Sequence, residues 1–277
     1  MSFDARVTPI RDGIAARSLE GVIAAEVYLD PRPMSCVAPA AGIRRHPDAD
    51  SEQMDQLLFG EVFEVIEEEG AFLWGQARRD GYVGFVEAAA LAPMGPAPTH
   101  RVSAIRTYAF AGPSIKSRAI GPYSINALVS VEAEEGRLAK VAASGWMTAE
   151  HLAPIGVFEP DHAAVAERFL GAPYLWGGRE SLGLDCSGLV QQALFACGRA
   201  CPRDTDQQAA MGAPITRGAF ARGDLVFWKG HVAIGLDAER IIHANGHHMA
   251  VAIEPLDAAI SRIAAAGVGQ PTGYRRV

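Results

Sequence analysis

From Gly60 the stretch GEVFEVIEEEGAFLWGQARRDGYVGFVEAAAL interleaves apolar and acidic positions at strand spacing. It steps through Val62, Glu64 and Ile66, turns at Gly70, resumes over Phe72 to Ala77, turns again at Asp80-Gly81 and continues over Tyr82 to Val86. The same order of strand, acidic turn ending in glycine, strand and closing leucine returns in ALVSVEAEEGRLAKVAASGWMTAEHL, Ala127 to Leu152. This is a degenerate internal repeat of about 60 residues. Strands this short gain stability by closing into barrels, which removes exposed edges. Proline-marked breaks, APMGPAPTHR at Ala92 to Arg101 and APIGVFEPD at Ala153 to Asp161, divide the chain. The predicted boundaries are 1–95, 96–157 and 158–277.

The third region changes style. DHAAVAERFLG places Val165, Phe169 and Leu170 on one helical face and stops at Gly171. DCSGLVQQALFACG repeats the pattern, with Leu189, Val190, Ala193, Leu194 and Cys197 on one stripe, Asp185 as N-cap and Gly198 as stop. Strands are predicted at Asp224 to Trp228, His231 to Leu236 and Arg240 to Ala244. The fold class is α+β, with helices first and an antiparallel sheet after.

Composition narrows the partners. A net charge of −7, a pI near 5.6 and no block of basic residues give no reason to expect nucleic acid. Asp4, Arg6, Arg11, Asp12 and Arg17 fall where an export signal needs an apolar core, and no segment reaches spanning length, so a cytoplasmic protein without membrane contact is expected. Four cysteines, Cys36, Cys186, Cys197 and Cys201, are too few and too irregular for a disulfide framework. Nor do Cys197 and Cys201 with His243, His247 and His248 have the spacing of a compact zinc site, so no metal and no cofactor is expected. Gly177-Gly178 reads as a tight turn, since the lysine and spacing of a phosphate loop are missing.

Cys186 opens a predicted helix, where unpaired N–H groups favour a thiolate and can stabilise an oxyanion on an attacked carbonyl. On its own, a cysteine is more often a small buried hydrophobe. A catalytic thiol also needs a base, and the base an orienting partner. His231 follows the Lys229-Gly230 turn and His243 lies in the next strand, so the two can share a face, although the register is open at this level.

Several blocks occur here in the order found in the NlpC/P60 family of papain-like cysteine peptidases. They are PYLWGG (Pro173 to Gly178), DCSGLV, CPRDTDQQ (Cys201 to Gln208), RGDLVFW (Arg222 to Trp228), GHVAI (Gly230 to Ile234) and IIHANG (Ile241 to Gly246). The third region resembles that family, and roughly Arg44 to Leu91, whose ending Asp80 to Leu91 carries the likeness, resembles the bacterial SH3-like (SH3b) module, with a fainter likeness over Arg101 to Leu152. The resemblance implies a papain-like domain preceded by two small β-barrels. It implies Cys186 as nucleophile, His231 as general base and later acid, and His243 as the residue orienting His231. Tyr174 is expected beside the nucleophile, assisting the oxyanion site, with Asp185 and Ser187 lining the groove.

The resemblance further implies hydrolysis of the γ-D-glutamyl-diamino acid bond in murein-derived peptides such as L-Ala-γ-D-Glu-diaminopimelate, in cell-wall recycling. Tyr82 and Glu52 are the residues expected from the first barrel at the free amine, with exposed barrel surface as the competing reading of both. Thr205 is expected where relatives hold the γ-glutamyl unit with serine. Two alternatives stay open: an exported endopeptidase acting on intact peptidoglycan, and an inert wall-binding or peptide-binding protein. Residues 1–36 match no pattern, and the oligomeric state is open.

Overall fold

A computed structural model describes residues 3–277, which fall into two compact units, Met1–Ile155 and Gly156–Val277. In the first unit a seven-stranded antiparallel sheet runs in the order Leu91–Pro93, Arg32–Cys36, Val62–Glu69, Phe72–Ala77, Val83–Glu87, Ala40–Arg44, Gln53–Leu58. Its buried cluster holds Ile43, Leu57, Phe63, Val65, Leu73 and Val86. The inward set on the strand from Val62 is therefore Phe63 and Val65, and Ile66 points to the other face.

That other face explains the N-terminal residues whose pattern was unreadable. Ile66, Phe72, Trp74 and Phe85 pack there against Ala16, with Ile14 and Leu29 at the margin. Ile14 to Ala16 pair in parallel with Val27 to Leu29 and antiparallel with Ile10 and Arg11. Arg11 lies 4.8 Å over the Phe85 ring and pairs with Glu67 and Glu69, so its aliphatic stem covers apolar surface while its head stays paired. The N-terminal segment is a cover for the barrel's second face.

A second set of short strands, between His100 and Pro154, forms one three-stranded and one five-stranded sheet around Val102, Ala109, Tyr123, Val129, Val141 and Met147. Leu58 and Phe59, at the end of a strand of the first sheet, complete this cluster, with the Phe59 ring edge-on to Tyr123 at 5.0 Å. Gly60 follows at φ +79, and a β-carbon there would lie 2.0 Å from the Leu128 carbonyl oxygen, so only glycine lets the chain pass.

In the second unit, helices His162–Glu167 and Cys186–Ala196 pack with a six-stranded antiparallel sheet. Its order is Ala213–Ile215, Gly273–Arg276, Leu225–Trp228, His231–Gly235, Arg240–Asn245, Ala250–Pro255. Val165 and Phe169 are buried as expected, but Leu170 is exposed because the helix ends at Glu167 and the chain turns away. A helix passed over in the sequence, Leu256–Ala265, buries Leu256, Ala259 and Ile263, three residues of one stripe. Among the described residues, no helix is long and apolar enough to cross a membrane.

Candidate active site

The helix that begins at Cys186 is built on a glycine turn. Asp185 is its N-cap, accepting from the Gly188 N–H at 2.8 Å, and its second oxygen accepts from the Gly177 N–H at 2.9 Å. Gly177 sits at φ +69, and a β-carbon on Gly188 would come within 2.3 Å of the Gly178 carbonyl oxygen. The Trp-Gly-Gly sequence thus allows the turn to lie directly under the first helical turn. Just before it, the Leu184 N–H donates to Pro173 O and the Leu175 N–H to Leu184 O, which ties the backbone on both sides of Tyr174 to the strand leading into Cys186.

Beneath this start lies a buried ionic floor. Arg203, only 1% exposed, donates Nη1 to Asp185 Oδ1 at 3.0 Å and Nη2 to Asp185 Oδ2 at 2.6 Å, and its Nη1 also reaches Ser187 Oγ at 2.7 Å. Ser187 Oγ in turn donates to Asp185 Oδ1 at 3.2 Å. Asp185 therefore receives five hydrogen bonds, and two of them come from a guanidinium in the fork geometry that suits a carboxylate. Arg203 was missed in the sequence, where it reads only as one residue of CPRDTDQQ. Thr205, half-buried, opens the short helix Thr205–Gln208, and Gln208 fastens that helix to the floor by donating to Ser187 O at 3.0 Å.

Cys186 itself is 6% exposed. Burial, and next the charge of Asp185, push its thiol up to about 12, against hydrogen bonds from the backbone N–H groups of Val232 and Ser187. The lowering expected from the helix start is thus outweighed by desolvation, and the resting group is a thiol. Tyr174 faces it: burial and then the neighbouring Cys186 and Asp185 raise the phenol, which remains a neutral hydrogen-bond donor.

The register Ile234 to Ile242 and Gly235 to Ile241 puts His231 and His243 on one face of two neighbouring strands, diagonal to each other. His231 Nε2 and His243 Nδ1 are 2.8 Å apart, and the far nitrogen of His243 is 2.7 Å from Glu254 Oε1. Glu254 also accepts from Arg262 Nη2. Burial, then the neighbouring His243 and Arg262, hold His231 down to about 3, so it is a neutral imidazole, and the residue after it, Val232, donates its N–H to the Cys186 thiol. Burial likewise lowers His243, although its bond to Glu254 pulls the other way. Glu254 resists the upward pull of burial because His243 and Arg262 hydrogen-bond it, and sits at about 2. Neither Glu254 nor Arg262 was singled out in the sequence.

These shifts give stability a pH dependence of definite sign. Folding takes His231 from its ordinary 6.5 to about 3, so between those values the unfolded chain binds the extra proton. The contribution is complete above pH 6.5 and is lost as pH falls toward 3. Glu254, moved from 4.5 to about 2, adds a loss of the same sign below pH 4.5. The melting midpoint is expected to fall steadily from pH 6.5 to pH 4, and His231→Gln is expected to flatten that slope. An unchanged slope in the variant would remove His231 as the source.

Donor atoms of His243, His248 and Glu254 lie within 4.8 Å of one another, close enough to be offered to a metal ion. Both nitrogens of His243 are engaged in the bonds above, and His248 Nδ1 is 2.9 Å from Asn245 Oδ1, so a cation there must compete with existing partners. In the first unit, Tyr82 is buried with Ile43, Leu57 and Phe63, which overturns its reading as exposed barrel surface. Glu52 is exposed and paired with Arg45. The strand that follows, Gln53–Leu58, carries a fully buried carboxylate, Asp55, which was not singled out in the sequence.

The profile of the NlpC/P60 family matches residues 171–268, and that of the bacterial dipeptidyl-peptidase SH3 domain matches residues 43–91. The chain carries an NlpC/P60 cysteine peptidase domain. It is 28% identical over 249 residues to dipeptidyl-peptidase 6 of Lysinibacillus sphaericus, covering 80% of this chain and 90% of that protein. Similarity to the γ-D-glutamyl-L-lysine dipeptidyl-peptidase of Bacillus subtilis is 29% over 211 residues, 68% of this chain and 71% of that one. The crystal structure of an NlpC/P60 family protein from Bacillus cereus has a similar fold. Its TM-score is 0.76 at 20% identity, over 88% of this chain and 99% of that one.

Proposed function

We propose that this peptidase hydrolyses the γ-D-glutamyl-diamino acid bond of murein-derived peptides that carry a free N-terminal L-Ala, as a step in cell-wall peptide recycling. The observation that carries the chemistry is the buried Cys186 at a helix start, with the His231–His243 pair on the adjoining strands. As substrate enters, Sγ attacks the γ-carbonyl and its proton passes to His231. The tetrahedral oxyanion is met by backbone N–H groups at the helix start and by the neutral Tyr174 hydroxyl. His231 then gives its proton to the leaving amine, and water hydrolyses the thioester by the reverse path. His243 orients His231 throughout.

The substrate class is supported by the relatives named γ-D-glutamyl-L-lysine dipeptidyl-peptidase. A dipeptidyl-peptidase counts two residues from an amino end, so the free amine belongs to what it must recognise. An ammonium taken out of water requires a carboxylate partner. Asp185 is the acid beside the nucleophile, but its carboxylate is already paired with Arg203, so an ammonium bound there would have to share it with that guanidinium; Ser187 and Thr205 are assigned toward the glutamyl unit. The test compares L-Ala-γ-D-Glu-diaminopimelate with its N-acetylated form. Acetylation is expected to slow cleavage at least about tenfold, the loss of one charge-assisted contact or more. Equal rates would remove the free-amine requirement, and comparable activity on purified sacculi would favour action on the intact wall.

A further inference from the structure

The hydrogen-bonded line from His231 does not end at His243. Glu254 lies on Ala250–Pro255, where the register His243 to Ala252 and Ile241 to Glu254 sets its side chain diagonal to His243 on the same face. Oε1 of Glu254 receives both His243 Nε2, at 2.7 Å, and Arg262 Nη2. Arg262 comes from the helix Leu256–Ala265, whose buried Leu256, Ala259 and Ile263 fix its position against the sheet. Glu254 is 12% exposed, so the carboxylate is held in a shielded place by two donors.

Proton bookkeeping along this line has one solution. An ionised carboxylate can only accept, so His243 Nε2 carries the hydrogen that faces Glu254. In neutral His243 the remaining nitrogen, Nδ1, then has a lone pair and accepts from His231 Nε2–H. That leaves Nδ1 of neutral His231 as a lone pair, the form able to take a proton from a thiol. Reversing the hydrogen on His243 reverses both rings and presents His231 with Nδ1–H, which cannot act as a base.

We propose that Glu254, clamped by Arg262, is a positioning residue that sets the tautomer of His243 and through it of His231. This rests on the reading of Cys186 and His231 as the reacting pair. Once His231 becomes an imidazolium, the carboxylate also balances its charge through His243, while Arg262 limits that effect. The charged or titratable groups acting on the two rings are Glu254 from the neighbouring strand, Arg262 from the last helix and His248 from the loop after Asn245, while the Cys186 thiol accepts from the N–H of Val232, the residue after His231.

The test uses the full chain with Glu254→Ala, Glu254→Gln and Arg262→Gln. Glu254→Ala is expected to lower kcat about ten- to a hundredfold with KM within about threefold, the usual cost of losing the group that orients a functional histidine. Imidazole nitrogen NMR is expected to show both rings protonated at Nε2 in the native protein and a mixture of tautomers in Glu254→Ala. Glu254→Gln, which keeps an acceptor oxygen, is expected to restore the native tautomer and part of the rate. Arg262→Gln is expected to move the acid limb of kcat/KM to higher pH, because a positive charge facing both rings is gone. A merely structural role moves the melting midpoint without moving tautomer or acid limb.

Unchanged nitrogen spectra in Glu254→Ala, or a kcat within about twofold of native, would overturn the proposal. Should Glu254→Ala not fold, an unmoved acid limb in Arg262→Gln overturns it instead. Cys186→Ala and His231→Asn are run beside these variants. If both are inactive while Glu254→Ala is native-like, the role of Glu254 alone fails. If either retains turnover, the assignment of the reacting pair fails.

Discussion

Cys186→Ala is expected to abolish cleavage of the tripeptide, a loss of at least about ten thousandfold in kcat, because no other group supplies the attacking atom. The fold should survive the change. Removing one sulfur from a buried site costs about 1 kcal/mol, and the thiol contributes nothing to the Asp185 cap or the Arg203 pair that hold the helix start. A melting curve and a peptide assay on the same sample check both halves. An inactive protein that has also unfolded would leave the loss of turnover without this explanation, and residual turnover near native would refute the role of Cys186.

Arg203→Ala is expected to have the largest effect on stability. The pair with Asp185 is buried on both sides, and removing one partner of such a pair costs about 3–5 kcal/mol because the other charge is left uncompensated. Ser187 loses its donor in the same step, and the helix that carries Cys186 loses the support of its N-cap. Arg203→Lys should recover only part of the loss, since an ammonium cannot reproduce the two-pronged bond. Thermal or denaturant unfolding of the two variants provides the measurement. A midpoint unchanged in Arg203→Ala would mean that Asp185 is adequately satisfied by its backbone donors.

Local pattern made much of this architecture readable. The Asp185 cap, the stop at Gly198 and the hairpin Leu225–Trp228 to His231–Gly235 each depend on a few adjacent residues, and each appears within a residue or so of its predicted place. Other features depend on distance. Arg203 reaches Asp185 across 18 residues, and Glu254 reaches His243 across 11 through a strand register that no short window contains. The N-terminal cover escaped notice because its strands are two or three residues long and one pairing is parallel. The helix Leu256–Ala265 is different: Leu256, Ala259 and Ile263 spell out a stripe in the sequence, and it was available to be read.

Burial also reversed one expectation about chemistry. A cysteine at a helix start has its pKa lowered by the unpaired N–H groups, yet Cys186 is raised because the water that would solvate a thiolate is excluded and Asp185 stands beside it. His231 is neutral as well, so the proposed reaction requires the nucleophile to be made by proton transfer from Cys186 to His231 once substrate is in place.

Mass analysis of the products from L-Ala-γ-D-Glu-diaminopimelate tests the proposed reaction most directly. The expected products are L-Ala-D-Glu and the free diamino acid, absent with Cys186→Ala. Release of L-Ala alone, or an uncut tripeptide under conditions where the protein is folded, would contradict it.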